Sequence, residues 1–223
     1  MPRAPFPILA SFLLIAGMRT AAAHPHVFVE PHIEVTASRD GHLESLRNVW
    51  HFDEMFSASV VVDFDANGDG RLEKDELAAI GKQVRGSIER WGFYTDVHAG
   101  ASAVKMVAPA TLGVSWDTKA AKLVFDFAMR PEAPVDLKAG DVSFSNFDDT
   151  YFTAFDFKDM RNLTVRNMPH GCRAEMNAPT PDEAAKSWMA TISAIPADSD
   201  VPADGIKFSD ALSTKYRIRC GGK

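Results

Sequence analysis

From His26 to Val35 the side chains change character residue by residue. Val27, Val29, Ile33 and Val35 fall on one parity, and His26, Phe28, Glu30, His32 and Glu34 on the other. A period of two is the mark of a strand with one buried face, so this stretch must lie on a sheet that covers a core on one side only. Ser38-Arg39-Asp40-Gly41-His42 has the composition of a hairpin turn, and residues 43–52 read as the returning strand, with Leu46 and Val49 inward. The same signs recur later. Residues 102–108, 111–116 and 122–129 read as a meander, 142–147 and 151–157 as aromatic-rich strands, and 162–166, 174–178 and 215–220 as short ones. Phe144, Phe152 and Phe155 are expected in the sheet core.

Helical spacing interrupts this pattern in three places. Residues 53–62 put Met55, Phe56, Ser59 and Val60 on one face, and residues 74–91 do the same with Leu77, Ile80, Val84, Ile88 and Trp91. Between them stands Asp65-Ala66-Asn67-Gly68-Asp69-Gly70-Arg71-Leu72-Glu73-Lys74-Asp75-Glu76. This spacing matches an EF-hand calcium loop: oxygen donors from Asp65, Asn67 and Asp69, a sharp turn at Gly70, the Arg71 carbonyl, Glu73, and Glu76 for bidentate closure. With one such loop rather than a pair, calcium is expected as a structural clip and not as a switch. A third helix is expected at residues 180–195, with Pro181 at its first position and Asp182 and Glu183 in the first turn. The fold class that follows is α+β: mainly antiparallel sheet, an inserted helix–loop–helix over 53–91, and one late helix.

The first 23 residues carry Arg3, an apolar run from Phe6 to Ala16, and Ala21-Ala22-Ala23. That is the layout of a cleavable export signal, and the run is too short for a membrane anchor. Cleavage there makes residues 24–223 one domain that does not span a membrane, of about 200 residues, enough for a good-sized core. It also takes away Arg3 and Arg19 and no acid, so the net charge moves from −6 to −8. A surface of that sign disfavours nucleic acid and suits cations. Cys172 and Cys220 are an even pair in an exported chain, which makes a disulfide the default expectation.

The new terminus would read His24-Pro25-His26, with a free α-amine and two imidazoles in three residues. Neutral imidazole binds Zn, Ni, Co and Cu alike. Pro25 has no amide proton to lose, which excludes a square-planar site built on deprotonated backbone nitrogens. Two arrangements stay open: an amine-plus-imidazole chelate from His24 with His26 beside it, or two imidazoles alone. His32 lies roughly 20 Å from His26 along a straight strand and cannot share its ion. His51, at the end of the returning strand, is a candidate third ligand. Asp148, at the turn Asp148-Asp149-Thr150, is another, with an Asx turn as the competing explanation. No phosphate loop, G-x-S-x-G elbow or Cys/His nucleophile pair is present, so no enzyme class is indicated.

The signal followed by His-Pro-His-Val-Phe-Val-Glu, the hairpin running into a single EF-hand-like loop, Asp148-Asp149-Thr150-Tyr151-Phe152 and the closing Cys strand resemble the bacterial periplasmic proteins of domain of unknown function family 1007. The resemblance spans nearly the whole mature chain. It implies a periplasmic component of nickel, cobalt or zinc uptake working with an inner-membrane metal permease, and it carries His24, His26 and Asp148 over as site residues. Two rivals stand beside that expectation: a copper enzyme built on a terminal histidine brace, and a calcium-stabilised envelope scaffold whose histidines are incidental.

Overall fold

In a computed structural model, residues 26–150, 152–180, 182–183, 186 and 213–221 are described. The strands are β1 (Val27–Ala37), β2 (Leu43–Phe52), β3 (Thr95–Ala99), β4 (Ser102–Ala103), β5 (Met106–Val107), β6 (Gly113–Asp117), β7 (Lys122–Pro131), β8 (Val142–Asn146), β9 (Thr153–Phe155), β10 (Leu163–Arg166), β11 (Cys172–Asn177) and β12 (Lys215–Cys220). Two α-helices, α1 (Glu54–Phe64) and α2 (Lys74–Ile88), lie between β2 and β3. The strands form two sheets. The first has the order β10-β1-β2-β7-β5, with β6 also on β7 and β9 also on β1; the second has the order β11-β12-β8-β3-β4.

The expected α+β class is corrected by this arrangement. Among the described residues strand outweighs helix, α1 and α2 both come early, and the last element is strand β12. Residues 181–212, which include almost all of the expected late helix, lie outside the described residues except for 182, 183 and 186. The physical reason is visible in the core. Ile33, Val35 and Leu46 of the first sheet pack with Val97, Val142, Phe144, Tyr216 and Ile218 of the second. The other half of the same β1–β2 face, with Val27, Val29, Trp50 and Phe52, packs with Val60, Ile80 and Phe93 from the helical segment. One hydrophobic strand face is thus covered by a second sheet along half its length and by helices along the rest. Pairing is also less uniform than expected, since β1 runs parallel to both β9 and β10.

Individual residues moved as well. Val49 faces outward, paired with His32, and Asn48 takes the inward position. Asn48 is fully buried, and its amide oxygen accepts from Asn146 Nδ2 at 3.0 Å while its own Nδ2 donates to Thr95 Oγ1 at 3.2 Å. Trp50 Nε1 donates to Asn146 Oδ1 at 3.4 Å, so a satisfied polar network ties the two sheets together inside the core. In α1 the inward residues are Ser57 and Val60, and Met55 is 84% exposed. Ser57 Oγ donates to the Asp53 carbonyl and accepts from the Leu123 N–H, which gives a small polar residue the place next to β7.

Helix α2 meets β6 through Gly81. A Cβ there would sit 2.4 Å from the Leu112 carbonyl oxygen, a backbone atom that cannot rotate away. Alanine is favoured over glycine inside a helix by about 1 kcal/mol, so propensity and packing oppose each other at this site. Packing wins: Gly81→Ala is expected to destabilise the fold by about 1–3 kcal/mol in urea unfolding. Gly86→Ala, on the same helix with open space around it, is expected to stabilise by a few tenths to about 1 kcal/mol. If both variants shifted the midpoint the same way, the close approach at Gly81 would be without consequence.

Cys172 and Cys220 are bonded to each other, directly opposite in the β11–β12 ladder. Among the described residues no helix is long and apolar enough to cross a membrane.

Candidate metal centre

The start of β1 is held from two sides. The N–H groups of His26 and Val27 both donate to the Phe152 carbonyl, at 3.0 and 3.1 Å, where β9 begins its parallel pairing with β1. The Phe28 N–H donates to Asp53 Oδ2 at 2.8 Å, and Asp53 Oδ1 accepts from the Phe56 N–H at 2.9 Å. Asp53 therefore caps α1 and pins β1 at once. An Asp directly ahead of a helical run is a recognised N-cap signal, so its capping role was available from the sequence.

His26 lies on the exposed side, with its ring 5.2 Å from that of Phe152. Phe152 is 48% exposed and Phe28 is 52% exposed, which corrects the expectation that Phe152 belongs to the sheet core. Phe144 is buried as expected, and Phe155 is partly buried against Trp50. His24 lies outside the described residues.

His51 is paired with Glu30, four residues along β1 from His26. That separation is about 13 Å at the usual strand rise, so the structure does not bring these two histidines together. His51 instead lines a cleft of about 450 Å³ with Glu30, His32, Lys158, Asp159 and Arg161. The groups around it have partners of their own. Lys158 Nζ donates to Glu30 Oε2 at 2.6 Å and holds that carboxyl below its usual range, and His32 Nε2 lies 2.9 Å from Thr164 Oγ1.

Asp148 sits in the turn between β8 and β9 and is 1% exposed. Its Oδ1 accepts from the Thr150 N–H at 2.9 Å and from Thr150 Oγ1 at 2.7 Å, and its Oδ2 accepts from the Thr153 N–H at 2.9 Å. Nearby Tyr94 has its phenol pushed up to about 12, first by burial and then by the negative charge of Asp148. The Thr150 N–H on Asp148 Oδ1 is the Asx turn that stood as the competing explanation for this residue.

The second group of site residues lies between the helices. Helix α1 closes with the Asp65 N–H on the Val61 carbonyl, and α2 opens at Lys74. Asp65 Oδ1 accepts from the N–H groups of Gly68 and Asp69, and Asp65 Oδ2 accepts from that of Gly70 at 2.7 Å. Asn67 Oδ1 accepts from the Asp69 N–H, Asp69 Oδ1 from the Arg71 N–H, and Glu76 from those of Ala66 and Glu73. Those last two donors hold the Glu76 carboxyl below its usual range. Gly68 and Gly70 both have positive φ, at 75° and 80°, where a side chain would be strained. The segment is a tight turn whose side-chain oxygens are drawn inward by its own amides. Among the described residues, no three His, Cys, Asp or Glu side chains converge closely enough to hold a metal ion.

A search of curated proteins found no match to this chain. The family model described as Protein of unknown function (DUF1007) matches residues 9–220, and it indicates no enzymatic class. That match covers both groups of candidate residues, the strand end at His26 and the turn from Asp65 to Glu76, and nearly the whole chain around them; the protein belongs to this family.

Proposed function

We propose that the chain is an exported metal-capture protein: His24 and His26 take up Zn, Ni or Co in the periplasm and pass the ion to an inner-membrane permease. The observation that carries this reading is the position of His26. It stands on the exposed side at the start of β1, with its own N–H anchored to the Phe152 carbonyl, so its imidazole starts from a fixed point of the fold, two positions after His24 in the sequence. The ions concerned are cargo, and few ligands from a single strand end suit transfer, because a partner can complete and then replace the coordination. Exposed Phe28 and Phe152 flank His26 and give such a partner an apolar contact. The resemblance noted from the sequence supports the same role.

The test is elemental analysis of the correctly processed chain, purified from periplasm without an affinity tag. A transition metal in stoichiometric amount is expected. Material that begins at His24 and contains none would overturn the proposal. Copper bound with redox activity would instead favour the copper-enzyme alternative.

For the turn from Asp65 to Glu76 we propose calcium on its donor set; its carboxylates do not converge as the turn stands, so the ion would have to draw them together. Asp65, Asn67, Asp69 and Glu76 supply only hard oxygens, on one short segment between two helices. Calcium would share those oxygens with the amides that now engage them and would tie α1 to α2. For an affinity in the extracellular range, 5 mM calcium is expected to stabilise the fold by about 1–2 kcal/mol, seen as a raised Tm that Asp65→Ala removes. An identical Tm with calcium and with chelator would show that the turn works without an ion.

A further inference from the structure

Asp148 was carried over from the resemblance as a metal ligand, but its surroundings assign it another task. The side chain is 1% exposed, and both of its oxygens accept from donors of its own turn: the Thr150 N–H and hydroxyl on Oδ1, the Thr153 N–H on Oδ2. A ligand to a captured and released ion needs an oxygen that faces solvent; this one faces backbone.

What Asp148 holds is more telling than what it could bind. Thr153 is the first residue of β9 and pairs with Val27. The peptide unit just before it carries the Phe152 carbonyl, which accepts from the N–H groups of both His26 and Val27. The path from the Asp148 carboxylate to the backbone of His26 is therefore two hydrogen bonds with a single residue boundary between them. One acceptor serves both of the first two amides, so a small rotation of that carbonyl would release both together.

We propose that Asp148 is a positioning residue: by holding Thr150 and Thr153 it aims the Phe152 carbonyl at the start of β1, and so sets the placement of His26. The part concerning the ion rests on the metal-capture reading, while the part concerning the strand end does not. Partners that orient a ligand from behind are commonly responsible for 10- to 100-fold of metal affinity.

The experiment uses the full processed chain, with Asp148→Asn, Thr150→Val and Thr150→Ser. Asparagine cannot accept on both sides of the amide, valine removes the hydroxyl donor, and serine keeps it. Amide exchange of His26 and Val27 is followed by NMR, with the amides of β12 as internal control, and each protein is titrated with Co(II) by absorbance. Exchange at His26 and Val27 is expected to speed up by about 10-fold or more in Asp148→Asn and in Thr150→Val, to return to the parent rate in Thr150→Ser, and to stay unchanged in β12. Co(II) affinity is expected to fall by about 10- to 100-fold in the first two with the Co(II) spectrum unaltered, because the ligands are the same. An altered spectrum in Asp148→Asn would make Asp148 a ligand and overturn the proposal, as would parent-like exchange at His26 and Val27. If the parent itself takes up no Co(II), the capture reading fails, and the exchange rates alone decide whether Asp148 positions the strand end. Should Asp148→Asn not fold, the Thr150 pair gives the same decision.

Discussion

His24→Ala/His26→Ala is expected to abolish uptake of Zn, Ni and Co by the processed chain while leaving its unfolding unchanged. The fold holds His26 through its backbone: the N–H donates to the Phe152 carbonyl, and alanine keeps that bond. The ring lies on the exposed side against Phe152, where truncation is expected to cost within about 0.5 kcal/mol. Affinity is expected to behave differently, because in the proposed site the two imidazoles are the ligands themselves. Loss of a partner behind a ligand costs roughly 10- to 100-fold, so removal of both ligands is expected to exceed that range. Isothermal titration with Zn on the processed protein measures it. His51→Ala is the control, expected to bind like the parent because residue 51 sits opposite Glu30 and not near His26. Parent-like binding in the double variant, or loss of binding in His51→Ala, would move the site to the cleft on the outer face of the first sheet.

Replacing Cys172 and Cys220 together by serine is expected to remove about 4 kcal/mol of stability, a large share of what a domain of this size has in total. The cross-link spans 48 residues, and in the chain-entropy view opening a loop of that length frees the unfolded chain to that extent. The native state adds a second reason for a large effect. The bond joins the first residue of β11 to the last of β12, and β12 lies between β11 and β8 in the second sheet. Tyr216 and Ile218 of β12 are fully buried and pack against the first sheet, so fraying at this ladder opens the core between the sheets. Urea unfolding of the double variant should show a lowered midpoint with a similar slope, and an unchanged midpoint would show that β12 is held by packing alone. The pH dependence of the same strand has a definite sign. Burial pushes the Tyr216 phenol up to about 12, so its contribution is intact below pH 10 and is lost as pH rises toward 12, where the unfolded chain ionises first.

Much of the local structure was legible because it depends on neighbours in the chain. The alternation in β1, the hairpin into β2, the amphipathic spacing of α2 and the closing strand all follow from the requirement that one face be buried and the other wet. The errors share a cause too. Val49, Met55 and Phe152 are large apolar residues that stand on the outer side, and Asn48 and Ser57 are polar residues that stand inside. Reading apolar as inward fails where an inner position is taken by a group with a specific partner across the core: Asn146 for Asn48, the Leu123 amide for Ser57.

The candidate sites divide along the same line. The turn from Asp65 to Glu76 is contiguous, so its donors could be named from spacing, and His24 and His26 lie two positions apart for the same reason. By itself, then, the sequence determined the strand periodicity, the segment between the helices and which residue types are available for binding, since each is set within a few residues. The hairpin alone puts His51 opposite Glu30; only the tertiary structure decided that Asp148 is buried and that β9 and β10 run parallel to β1. The parallel pairings join segments about 130 residues apart, fixed by the packing of two sheets and a helical layer on one shared face, and no local pattern encodes them.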